Sequence, residues 1–127
     1  MKKLIYTLLI IIALTNNSFS AGTSSDSSDD SSNYMKAKNL IKAAKKYEKK
    51  GKTEKAQKRY TKAQKLLLKS NEKKPLQANT LNYLGFTTRK LGDYKKGEDF
   101  YLQGLQIEPN HKGINEYLGE LYVVTNR

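Results

Sequence analysis

Cysteine and tryptophan are absent from the 127 residues, and histidine occurs once, at position 111. Without a thiol there is no disulfide framework, thiol nucleophile, iron–sulfur cluster or cysteine-based zinc site, and nothing to carry a lipid. Such a chain holds together by packing alone. A metal centre needs several converging ligands, and neither a His-x3-His spacing nor a carboxylate cluster accompanies His111. Following Pro109-Asn110 at a helix start, His111 reads as a surface-polar residue. The nearest acidic pairs, Glu98-Asp99 and Glu116/Glu120, read as solvated or groove-lining. No catalytic residue, metal ligand or cofactor is assigned.

Phosphate-binding loops are lacking too. Tyr83 to Gly97, YLGFTTRKLGDYKKG, sets Gly85, Gly92 and Gly97 among basic residues. A P-loop requires G-x4-G-K-[ST] after a strand, and a dinucleotide fingerprint requires G-x-G-x2-G. Here the glycines are 7 and 5 residues apart and no strand precedes them. They read instead as helix crossings and a turn.

No apolar run is long enough to span a bilayer. Leu4 to Leu14 supplies eleven positions, well short of the roughly 20 a membrane helix needs. Lys2 and Lys3 precede that run and small residues follow it, the order of a bacterial export signal over 1–20, with cleavage after Ser20. Retention as an anchor is the alternative, against which Asn16, Asn17 and Ser18 interrupt the apolar run. The expected location is periplasmic or secreted. Residues 21–33, almost wholly Ser and Asp, bury too little apolar surface to offset their ordering entropy and read as a disordered linker.

Acidic residues are scarce where basic ones are dense. The chain carries a formal charge of +12. Between Lys36 and Lys74 stand 16 Lys/Arg against Glu48, Glu54 and Glu72, a net +13, whereas Pro75 to Arg127 holds six of each sign. A field of that size attracts anionic surfaces, although lysine is also the default residue of a solvated helix face.

From residue 34 to 127 the composition is that of one helical domain. Breaks at Gly51-Lys52, Lys74-Pro75, Gly92-Asp93 and Glu108-Pro109-Asn110 divide it into five segments, about 34–50, 53–73, 77–91, 94–107 and 111–124. Paired helices with short turns are the unit of an α-solenoid.

A repeat emerges from these segments. One unit, 78–111, supplies Leu81, Leu84, Gly85 and Thr88, a turn at Gly92-Asp93, then Gly97, Tyr101, Gly104 and Pro109. The next, 112–127 and incomplete, supplies Leu118, Gly119 and Tyr122, with Gly119 standing 34 residues after Gly85. The unit before them, 37–77, gives Leu40, Ala43, Ala44, Tyr47, Ala56, Tyr60 and Ala63, with seven extra residues in its second helix. Seven residues are close to two turns and leave the apolar face unrotated, so Leu66, Leu67 and Leu68 can extend the core. This pattern resembles the tetratricopeptide repeat, whose 34-residue unit reads W-x2-L-G-x2-Y, then A-x3-F, then P. Leu81 stands for the usual Trp, Thr88 for Tyr, and Gly97 and Gly104 for Ala; the Gly119 to Tyr122 end is similar to exported bacterial members.

The resemblance implies an all-α fold: an α-solenoid of antiparallel helix pairs, about two and a half repeats, five helices. It also implies a non-catalytic scaffold that binds a protein or peptide in a groove lined by the first helix of each pair. Carried over residue by residue, the groove positions are Lys38, Ile41, Lys45 and Glu48; Asn79, Asn82, Phe86 and Arg89; and Gly113, Glu116, Glu120 and Val123. Asn79 and Asn82 would bond a peptide backbone, Arg89 a carboxylate, and Phe86 would offer an apolar contact. Ile41 and Asn82 stand where a carboxylate-clamp lysine would be expected, so that specific ligand is not implied. A second reading is an electrostatic binder, its Lys-rich first unit meeting anionic lipid or envelope polymer; export argues against nucleic acid. An apolar stripe including Leu118, Leu121 and Tyr122 is expected on the last helix, to be covered by further chain, by a homodimer partner, or left as an adapted cap.

Overall fold

Good helix formers fill the chain between its glycine and proline breaks, and the helices run from break to break. A computed structural model describes residues 26–127, with side chains from Ser31 onward; the expected export signal and its cleavage point lie outside the described residues. Five helices follow one another: α1 Asp26–Lys49, α2 Thr53–Lys73, α3 Ala78–Lys90, α4 Tyr94–Ile107 and α5 Lys112–Val124. Among the described residues there is no strand. None of these helices is long and apolar enough to cross a membrane.

The first helix of each unit ends by the same device. After α1, Gly51 N–H donates to the Glu48 carbonyl at 2.9 Å and Lys52 N–H to the Tyr47 carbonyl at 2.9 Å. After α3, Gly92 bonds Arg89 and Asp93 bonds Thr88; after α5, Asn126 bonds Val123 and Arg127 bonds Tyr122. These paired bonds form a C-cap that needs a left-handed residue, usually glycine and sometimes asparagine. Gly51, Gly92 and Asn126 have φ of 68°, 102° and 58°. Asp93 then opens α4, its carboxylate accepting from Lys96 N–H at 3.0 Å.

Helices pair α1 with α2 and α3 with α4, and α5 packs on α4 and α3. This is the all-α, tetratricopeptide-like stack of antiparallel pairs expected from the repeat. α3 and α5 start 34 residues apart, and α2 has 21 residues against 14 in α4, the seven-residue extension. In the first hairpin Ala37, Ile41 and Ala44 meet Ala56, Tyr60, Ala63 and Leu67. Leu67 continues the core as expected, while Leu68 is exposed.

In the second hairpin the helices approach too closely for a side chain at the crossing. A Cβ on Gly85 would stand 2.5 Å from the Tyr101 ring, and one on Gly97 3.0 Å from the Gly85 carbonyl oxygen. Glycine is required at both.

Two expectations are corrected here. The Ser/Asp-rich segment 21–33 is not wholly a linker, since α1 begins at Asp26. Asn33 is buried one turn before Ala37, so the buried stripe continues past the apolar residues, and a formed helix extends at little cost. Leu118 and Leu121 are not an exposed stripe: both are buried with Ala78, Tyr101 and Ile114, and Tyr122 is partly buried against them. The exposed apolar residues of α5 are Val123 and Val124.

Candidate functional site

Lys45 from α1, Phe86 from α3 and Tyr117 from α5 come together where the first helices of the three units converge. The Lys45 ammonium lies 4.5 Å from the Phe86 ring centre and 5.1 Å from that of Tyr117. It donates to the Tyr117 hydroxyl at 2.8 Å. The two rings are 4.8 Å apart, centre to centre. A cation over two ring faces gains from both quadrupoles, and its apolar stem covers the rings. Around it opens a cleft of about 230 Å³, lined also by Glu48, Lys49, Lys90 and Glu120.

Two ion pairs brace the cleft. Lys90 bonds both oxygens of Glu48, at 3.0 and 3.1 Å, and Glu48 also accepts from the Tyr60 hydroxyl at 2.9 Å. Burial first, and that hydrogen bond second, push the Tyr60 phenol far above its usual range. Arg89 pairs with Glu120 across α3 and α5. Burial opposes the charge on Arg89, but Tyr101 and Glu120 outweigh it and raise its pKa. Among the described residues neither Lys45 nor Lys49 of the cleft has a carboxylate partner, and Lys45 is the one held against both rings, its charge left for a ligand.

The structure thus gathers Lys45, Glu48, Phe86, Arg89 and Glu120 from the expected groove positions, but in altered roles. Phe86 is only 2 % exposed and offers no open apolar contact. Arg89 is committed to Glu120 rather than free to fork onto a ligand carboxylate. Asn82 is buried, its amide nitrogen packed where a Cβ on Gly113 would stand. Ile41 is buried in the first hairpin.

Other expected groove residues stand away from the cleft. Lys38 lies over the Tyr34 ring at 5.6 Å. Asn79 accepts at 2.9 Å from His111 Nε2, Glu116 is exposed on α5, and Val123 is exposed near its end.

His111 is a buried structural residue rather than a surface one. Its Nδ1 accepts from Ile114 N–H at 3.1 Å, capping α5, so Nε2 carries the proton it gives to Asn79. Among the described residues no group of three His, Asp or Glu is placed to hold a metal.

Tyr117, Lys49 and Lys90 are the cleft residues that sequence reasoning missed. Tyr117 had a legible signal, because Tyr83 stands 34 residues before it at the same repeat position. Lys90 had none: its partner Glu48 is 42 residues away.

No protein-family model and no curated protein matches the chain. Among solved structures it is similar to the first TPR of Spaghetti (RPAP3) bound to HSP90 peptide SRMEEVD. The two are 16 % identical, with 74 % of this chain and 96 % of that one covered and a TM-score of 0.48.

Proposed function

We propose that this protein is a non-catalytic interaction scaffold of the bacterial cell envelope, and that the cleft around Lys45 receives an acidic residue of a peptide or protein partner. The observation that carries this reading is the ammonium of Lys45, held by two rings and a hydroxyl with no carboxylate of its own among the described residues. A cation fixed in place costs little rotamer entropy on binding, which favours capture of a side-chain carboxylate. Glu48 and Glu120, already paired, set the register by repelling a second acid placed beside them. The leader-like 1–20 supports an envelope location.

Asn82 and Arg89 are unsuitable probes, because their burial makes any substitution a test of folding. Lys45→Met keeps the methylene stem on Phe86 and Tyr117 while removing the charge. On an array of peptides varied in acidic content, wild-type protein should favour acid-bearing members. Lys45→Met should lose about tenfold in affinity for them, the scale of one charge-assisted contact. Acidic peptides bound equally by both proteins would contradict the reading.

A further inference from the structure

A second cluster of cations lies at the turn end of the first hairpin. Tyr47 from α1 and Lys55, Lys58, Arg59 and Lys62 from α2 line a pocket of about 350 Å³. The four basic residues follow i, i+3, i+4, i+7 spacing and so share one face of α2. Its composition differs from that of the cleft around Lys45. There, Glu48 and Glu120 pair with Lys90 and Arg89; here, no acid is among the residues that line the pocket. Glu54 is nearest in sequence, and it is occupied by Lys58 at 2.8 Å. Glu48, next to Tyr47, is turned to Tyr60 and Lys90. Among the described residues Lys55, Arg59 and Lys62 are left without a carboxylate.

The Tyr47 ring organises this charge. The Arg59 guanidinium stands 5.0 Å from the ring centre and the Lys55 ammonium 5.9 Å. Arg59 Nη2 also donates to the Tyr47 hydroxyl at 3.4 Å. That hydrogen bond, then the charges of Arg59 and Lys55, hold the phenol below its usual range. Like charges one turn apart repel, and a ring that gathers them creates a field that a bound anion relieves. At physiological salt the screening length is about 8 Å, so neighbouring charges within this cluster reinforce one another in a way that scattered lysines do not.

We propose that this pocket binds a phosphate-class oxyanion, Arg59 presenting its paired N–H groups, Lys55 and Lys62 flanking it, and the Tyr47 ring forming the floor. Three uncompensated cations suit phosphate better than carboxylate, because a terminal phosphate brings close to two charges and three acceptor oxygens. Lys55 and Lys62 are about 10 Å apart along the helix at 1.5 Å per residue. That span exceeds a single phosphate and fits a chain bearing phosphates in succession. The site is independent of the groove and gives the +13 excess of the first unit a specific address.

The test is a titration of the full, ¹⁵N-labelled chain with sodium tripolyphosphate at constant ionic strength. Amide shifts should concentrate at Tyr47 and residues 55–62. Arg59→Ala/Lys62→Ala should weaken binding about tenfold or more. Lys65→Ala/Lys69→Ala, which removes the same charge from the same helix beyond the pocket, should cost less than about threefold. Equal losses in the two variants, with helicity unchanged by circular dichroism, would overturn the site in favour of a diffuse field. Vesicles of phosphatidylcholine and phosphatidylglycerol provide the second arm: Arg59-dependent binding there supports a lipid phosphate source, and binding of tripolyphosphate alone supports a soluble chain. Arg59-dependent binding of heparin without tripolyphosphate, or no binding in any arm, overturns the phosphate assignment.

Discussion

In the first hairpin alanines stand at the helix crossing, and in the second glycines do. Ala44, Ala56 and Ala63 are replaced, 41 residues on, by Gly85, Gly97 and Gly104, while the tyrosine between the last two is kept, as Tyr60 and then Tyr101. Both tyrosines are fully buried, yet they are accommodated differently. Tyr60 reaches past the alanines to Glu48; Tyr101 presses its ring onto the bare backbone of Gly85. Glycine costs about 1 kcal/mol of helix propensity per position against alanine. The second hairpin therefore gives up intrinsic helicity for close approach, and the first keeps helicity and ties its tyrosine by a hydrogen bond.

Gly119 extends the comparison to the third unit. It occupies the repeat position of Gly85, but nothing lies within 4 Å of the Cβ it lacks. The same residue in the same register is required at one place and free at the other, because α5 has no second helix against it among the described residues.

The largest expected effect follows from that contrast. Gly85→Ala forces a methyl into the Tyr101 ring and should destabilise by about 2–3 kcal/mol, an overpacking cost; urea unfolding that shows less than about 0.5 kcal/mol would break the contrast. Removing the hydroxyl in Tyr60→Phe should cost about 1.5 kcal/mol by the same assay, since a bond to a charged acceptor is lost. Gly119→Ala should do the reverse and stabilise by about 1 kcal/mol, as alanine improves an exposed helix position. The smallest effect belongs to the end of α5. Arg127 hydrogen-bonds Glu98 and so holds its carboxyl below the usual range. A depressed carboxyl pKa stabilises above the unfolded value and loses that contribution as pH falls through the folded one. Arg127→Gln should therefore raise the Glu98 titration midpoint followed by NMR, with little change in stability at neutral pH.

These contrasts also mark how far the sequence could be read. The helix ends were legible because Gly51, Gly92 and Pro109 act locally, and the crossings because small residues recur at a fixed period. α1 was drawn short because composition registers the polarity of Ser and Asp but not the burial of Asn33 that continues the helix. Within the cleft, the repeat register found Lys45, Arg89 and Glu120. It could not show that Arg89 is already paired with Glu120, 31 residues away. His111 looked like a surface residue because its partner Asn79 lies a full unit earlier. Local signals survive in a sequence; pairings across units depend on the crossing geometry, which no single segment encodes.

The most direct measurement compares two ligands on two variants by calorimetry: an acid-bearing peptide selected by the wild-type array, and tripolyphosphate. Lys45→Met should lose the peptide and keep tripolyphosphate, and Arg59→Ala/Lys62→Ala should do the opposite. Loss of both ligands in both variants, with helicity intact, would show one undivided basic surface and contradict a built groove.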